Sequence, residues 1–168
     1  MQDPGRNAGH DAELEQHRAF MSEALEQARI SFEEEGGIPV GAVMVRDGRV
    51  VARGHNNRVQ KGNPILHGET DCIQNLGRQT SYRDLVLYTT LTPCMMCAGT
   101  VVQFGIRRVV IGQRSVDWPP ERPFTGNVAF LRERGVEVVL LDDPRCRALF
   151  DTFLREHPDV WLEDIGEE

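Results

Sequence analysis

The tripeptide His67-Gly68-Glu69 and the later run Pro93-Cys94-Met95-Met96-Cys97 constrain this chain more than any other feature. One imidazole and two thiolates form a zinc ligand set, and a zinc that does chemistry takes three protein ligands so that water can hold the fourth place. Residues two apart on a regular helix point about 200° away from each other. His67 and Glu69 therefore serve one site only at a helix N-terminus, where the chain is still turning, and Asn63-Pro64 just upstream fits that placement. Cys94 and Cys97 are three apart, on one face of a first turn opened by Pro93. There the helix dipole and the free N–H groups stabilise thiolates.

Charge arithmetic supports an active metal. Two thiolates and a neutral His bring one Zn²⁺ per chain to about zero, before its bound water loses a proton to become hydroxide. Such a water reaches a pKa of ~7, against about 15.7 in bulk. Glu69 is not a ligand in this scheme and is placed to take that proton. Two blander readings compete. A lone C-x-x-C is also a redox pair, which would leave His67 and Glu69 without a role. It is also half of a closed structural site, with Cys72 or Cys146 as fourth ligand. Cys72, however, lies well inside its own helix and points away from the helix start.

The surrounding pattern alternates helix and strand. Leu14, Met21, Leu25, Ala28 and Phe32 fall on one helix face that Gly36-Gly37 ends. Residues 38–45 and 49–52 read as strands joined at Asp47-Gly48, a tight-hairpin signal. A loop over 54–64 precedes a helix over 67–76. Strands at 85–90, 108–111 and 136–141 alternate with helices at 93–104, 128–134 and 144–156, and residues 113–127 are irregular. That order predicts an α/β domain whose mixed sheet is covered on both faces. Ligands of such sheets gather where strands end and helices begin, which is where both motif segments fall.

A chain of 168 residues is expected to form one domain, here 12–168, preceded by a mobile N-terminal arm over 1–11. No apolar run approaches the ~18–20 residues of a membrane span, and no signal peptide is visible. Nineteen Lys and Arg against twenty-six Asp and Glu give a net charge of −7, which disfavours a general nucleic-acid binder. Six acids and no Lys or Arg occupy residues 156–168, so that end repels phosphate. The four cysteines read as reduced thiols of a cytoplasmic protein.

The pairing of H-x-E with P-C-x-x-C is the signature of zinc nucleobase deaminases. With it in view, residues 17–166 resemble the cytidine deaminase-like superfamily, and within it the fungal-type, yeast-like cytosine deaminases. The likeness extends to Gly36-Gly37-Ile38-Pro39-Val40-Gly41, Arg53-Gly54-His55-Asn56, Gln60-Lys61-Gly62 and Tyr88-Thr89-Thr90-Leu91. It ends in Trp161-Leu162-Glu163-Asp164-Ile165-Gly166-Glu167, which is specific to that branch.

The resemblance implies a three-layer α/β/α sandwich with a five-stranded mixed sheet, a homodimer, and hydrolysis of free cytosine to uracil and ammonia. It implies that His67, Cys94 and Cys97 bind zinc and that Glu69 shuttles protons. Asn56 and the backbone N–H of Gly68 would hydrogen-bond the base. Asp164 would accept from the exocyclic amine, Trp161 would pack over the ring, and the C-terminal segment would act as a lid. On the residues alone, Asn56 also reads as a turn residue, Asp164 as a solvated tail acid and Trp161 as a hydrophobic plug.

Three departures from the yeast-like pattern stand out. Met95 replaces an acid between the cysteines, and the 113–127 loop is longer and richer in proline. Trp118 falls where a phenylalanine would cap the pocket, and it reads either as a substrate-facing indole or as a surface anchor. Rival functions are deamination of another amino-heterocycle (an s-triazine, guanine, isoguanine or creatinine), deamination of tRNA adenosine, and a non-catalytic zinc-stabilised interaction module.

Overall fold

Asp47 and Gly48 both adopt left-handed backbone, with φ of 50° and 70°, as a two-residue hairpin of type I′ requires. They join β1 (Gly41–Arg46) to β2 (Arg49–His55) in antiparallel register, with a bulge between Met44 and Val45. The computed structural model describes residues 4–167 of the chain. β3 (Val86–Leu91) pairs antiparallel with β1, and β4 (Arg108–Gln113) and β5 (Glu137–Leu140) then add in parallel. The five strands run in the order β2-β1-β3-β4-β5, which is the expected mixed sheet.

Alternation along the strands feeds two cores. Val43 and Val45 of β1, with Tyr88 and Val110, meet Met21, Ala24 and Leu25 of α1 (Pro4–Arg29) and Cys146 of α6 (Pro144–Glu156). Ala42 and Met44, with Leu87, Val109 and Ile111, face the opposite layer. That layer holds α3 (Gly68–Leu76), α4 (Met95–Phe104) and α5 (Val128–Glu133). Full burial of each such side chain stabilises the fold by about 1.5–3 kcal/mol. Two glycines set how closely the layers approach. A Cβ on Gly41 would lie 2.1 Å from the Ala24 carbonyl oxygen, and one on Gly54 would lie 2.2 Å from the Cys72 nitrogen.

A third apolar cluster sits beyond the sheet and gathers Ile38, Val40, Leu91, Val116, Phe150, Phe153 and Trp161. Trp161 belongs to α7 (Pro158–Asp164), a helix that the sequence pattern did not separate from its surroundings. Two further short elements went unanticipated: a π-helical turn at Ile30–Glu34, and α2 (Arg58–Lys61) inside the expected 54–64 loop. No helix among the described residues is long and apolar enough to cross a membrane.

The boundary expected near residue 11 falls inside α1, which starts at Pro4. Proline suits a first helical position, and Gly5 and Gly9 cost only about 1 kcal/mol each in a helix that propagates from a well-packed downstream half. Residues 1–3 of the expected arm lie outside the described residues.

Candidate active site

Both motif segments cap helices rather than lie within them. His67 is the N-cap of α3, with extended backbone (φ −76°, ψ 171°), and its N–H donates to Thr70 Oγ1 at 2.9 Å. Cys94 is the N-cap of α4 in nearly the same conformation (φ −66°, ψ 176°). Pro93 therefore precedes the helix instead of opening it. Cys97 comes three residues on, at the end of the first turn, where it faces Cys94.

The ligand atoms of His67, Cys94 and Cys97 all lie within 4.8 Å of one another. His67 Nδ1 is 3.5 Å from Cys94 Sγ. Zinc bonds of ~2.3 Å to sulfur and ~2.0–2.1 Å to nitrogen, set tetrahedrally, give an edge of about 3.5 Å, so spacing and donor type both fit zinc. Cys72 and Cys146 are buried in the cores on opposite faces of the sheet and supply no fourth ligand.

Electrostatics inside the trio are strongly coupled. The Cys97 thiol beside it, opposed by burial and aided by His67, holds Cys94 down at about 4. Cys97 itself is pushed well above its usual range by Cys94 and by burial. Burial favours a neutral His67 ring, but the neighbouring Asp164 carboxylate and Cys94 outweigh it and raise the imidazole to about 10. A cation bound here displaces those protons.

Glu69 is 3% exposed, and Thr89 on β3, itself fully buried, donates to its Oε1 at 3.1 Å. Burial first, and then the charge of Cys94, raise its carboxyl pKa, which suits a group that must hold and release a proton.

A cavity of about 450 Å³ opens onto these groups. Its walls include Asn56, Glu69, Cys94, Trp161 and Asp164, together with Arg58, Phe124 and Ile165. Asn56 is held firmly: its Oδ1 accepts from the Arg58 N–H at 3.0 Å, and its carbonyl accepts from Ser31 Oγ and from Gln60 Nε2, each at 2.8 Å. Trp161 stands edge-on to Phe124 and Phe150, and its Nε1 donates to the Trp118 carbonyl at 3.1 Å. Asp164 Oδ1 lies 3.2 Å from His67 Nε2 and 3.4 Å from Arg58 Nε.

Trp118 does not line this cavity. A bridge between Val116 and Phe124 folds the proline-rich loop back on itself. Phe124 thereby reaches the cavity wall, while Trp118 faces a separate hollow beside Asp151, Leu154 and Arg155 of α6. The Trp118 side chain packs against the apolar cluster that holds Phe150, Phe153 and Trp161. Gly68 opens α3 close-packed on Val40, whose carbonyl oxygen a Cβ would approach to 2.9 Å. Sequence reasoning missed Thr89, Arg58 and Phe124. Thr89 stands inside a quoted motif and Arg58 two residues after Asn56, whereas nothing in the loop sequence marks Phe124.

Residues 14–113 match the family model described as the cytidine and deoxycytidylate deaminase zinc-binding region. A cytosine deaminase of Candida albicans is 45% identical over 147 residues, covering 86% of this chain and 93% of that protein. A tRNA:A34 deaminase structure superposes with a TM-score of 0.67 at 28% identity, over 79% of this chain and 99% of the other. A guanine deaminase of Bacillus subtilis gives 0.55 at 29% identity, over 58% of this chain and 65% of the other. The family match spans both cap-borne segments of the metal motif, and the fungal likeness runs well past them: the chain belongs to the cytidine and deoxycytidylate deaminase family.

Proposed function

We propose that this protein hydrolyses free cytosine to uracil and ammonia. The observation that carries the reading is the set of polar groups around one small cavity: the Asn56 amide, the Glu69 carboxyl and the Asp164 carboxylate, with His67 and Cys94 of the ligand trio also in its wall. The Candida albicans enzyme, matched over nearly its whole length, supports the choice of base. His67, Cys94 and Cys97 would hold a zinc ion, which would supply an acidified water as the nucleophile at neutral pH.

The chain's own residues do the rest. Asn56 offers its amide to the edge of the ring, and the N–H of Gly68, in the first turn of α3, offers a second donor. Asp164 accepts from the exocyclic amine, and Trp161 covers the ring. Glu69 takes one proton of the attacking water and passes it to the ring nitrogen beside the reacting carbon. It then takes the second proton from the hydroxyl now on that carbon and delivers it to the departing amine, which leaves as ammonia. The low polarity around Glu69 keeps its protonated form accessible between those transfers.

We assign the elements from α1 to α7 to one catalytic domain that works as a cytoplasmic homodimer. Free thiols at all four cysteines agree with a reducing compartment. Ile65 and Met95, each 59% exposed and close to the motif, offer apolar surface for a second copy. The deciding experiment is ammonia release by the zinc-loaded protein. Cytosine, 5-methylcytosine, cytidine, guanine, isoguanine, creatinine, an aminotriazine and an adenosine-containing RNA hairpin form the panel. Cytosine is expected to lead with cytidine inert, and a different leading substrate would overturn the assignment.

A further inference from the structure

We propose that Arg58 is a positioning residue that latches α7 over the cavity and sets the Asp164 carboxylate against the substrate amine. The role at the amine rests on the cytosine reading above, whereas the latch itself does not.

Arg58 opens α2 and touches both polar walls of the cavity. Its backbone N–H donates to Asn56 Oδ1 at 3.0 Å, which fixes that amide's orientation and turns Nδ2 into the free donor. Its side chain, 18% exposed, spans to the end of α7. Nη1 is 3.0 Å from Glu163 Oε1, Nη2 donates to the Glu163 carbonyl at 3.5 Å, and Nε is 3.4 Å from Asp164 Oδ1.

Three physical reasons make this contact a latch. A helix of seven residues does not persist by itself. Trp161 pins the middle of α7 into the apolar cluster, and a cation at the C-terminal end satisfies the last carbonyls and the helix dipole. Asp164 Oδ1 is buried and completes no hydrogen bond of ordinary geometry, so its place depends on the two nitrogens beside it, Nε of the Arg58 guanidinium and Nε2 of His67. Without the guanidinium the carboxylate gains more by swinging out to water than by staying. The forked guanidinium also reaches two acids and a carbonyl at once, which a lysine ammonium cannot do.

The test uses the zinc-loaded protein with Arg58→Ala, Arg58→Lys, Asp164→Ala and the double variant Arg58→Ala/Asp164→Ala. Backbone hydrogen exchange over 158–166 is measured beside cytosine kinetics and zinc content. In Arg58→Ala, α7 is expected to exchange faster while β3 and β4 keep wild-type rates and zinc stays at wild-type content. kcat/KM should fall on the order of 10²-fold, as misplacement of a contacting group does, and Arg58→Lys should recover it only in part. The double variant should lose no more than Asp164→Ala alone. Losses that multiply in the double variant, or wild-type exchange of α7 without Arg58, would overturn the proposal. Should Arg58→Ala not fold, Arg58→Lys carries the same comparison. If the wild type leaves cytosine untouched, the substrate reading falls, and the exchange rates still decide the latch: faster exchange confined to α7 upholds it and unchanged exchange rejects it.

Discussion

The hydroxyl of Thr89 lies 3.1 Å from Glu69 Oε1 and 3.0 Å from the Leu91 carbonyl oxygen and shares its one proton between them, tying the buried carboxyl to the central region of the sheet. Glu69→Gln should keep zinc and lose nearly all turnover, because the amide cannot carry a proton. Thr89→Val should keep both zinc and the carboxyl but free its orientation, at a cost of about 10–100-fold in kcat. Steady-state kinetics with metal analysis on the same samples check both. Substantial turnover by Glu69→Gln would remove Glu69 from the mechanism.

Zinc removal separates a catalytic from a structural metal. None of the three ligands belongs to the apolar clusters that cover the two faces of the sheet, so chelation should abolish turnover while the far-ultraviolet circular dichroism stays folded. Because zinc binds the native state, the melting temperature should drop on chelation and recover on reloading. Global unfolding on chelation would instead favour the zinc-stabilised interaction module.

Close packing at Gly54 predicts a large stability effect far from the chemistry. A Cβ there would meet the Cys72 nitrogen at 2.2 Å and its Cα at 2.5 Å, both backbone atoms of α3. Gly54→Ala must push α3 off β2 and should destabilise by about 1–3 kcal/mol or more. Denaturant unfolding measures this. Since His67 caps that same helix, zinc affinity should weaken in parallel.

The legibility of this molecule in its sequence follows the range of the interactions involved. Asp47-Gly48 announces its hairpin because a two-residue turn is a local backbone matter. His67, Cys94 and Cys97 announce a metal because few residue types can serve and their spacing is set within single turns. The α1 start was misplaced because Gly5 and Gly9 suggest a break that the rest of the helix overrides. The sequence leaves Trp118 open between cavity and surface and does not mark Phe124, because the placement of both depends on one bridge, Val116 to Phe124, that no local pattern reveals. Arg58 went unnoticed for the same reason: its partners Glu163 and Asp164 lie more than a hundred residues away in the chain.

His17 predicts the acid side of the stability profile. It is 5% exposed, and its Nδ1 lies 2.8 Å from the Tyr88 hydroxyl. Burial pushes its pKa below 6.5, with Glu13 opposing and Arg108 adding to the depression. Burial also raises the Tyr88 phenol to about 12, so the phenol stays neutral beside the ring. The unfolded chain therefore binds a proton that the folded chain resists. This contribution is fully present above pH 6.5 and is lost as pH falls through the depressed folded value. Denaturant unfolding of the zinc-loaded protein between pH 8 and pH 5 should show stability falling in that window, and His17→Gln should flatten the slope.

The separate placements of Phe124 at the cavity wall and Trp118 beside α6 are open to a direct comparison. Phe124 lines the cavity and meets Trp161 edge-on, with ring centroids 5.7 Å apart. Truncating it removes apolar wall from the base and loosens Trp161, so Phe124→Ala should raise KM for cytosine about 10-fold or more. Trp118 contributes to the site through its backbone carbonyl, which accepts from Trp161 Nε1, and a substitution leaves that carbonyl in place. Trp118→Ala should therefore lower the melting temperature by loosening the loop from α6, with KM changed less than 3-fold (roughly 0.6 kcal/mol in binding). Kinetics and thermal unfolding of the two variants side by side decide the matter. A Trp118→Ala variant with the larger KM would mean that the loop turns its indole to the substrate when the base is bound.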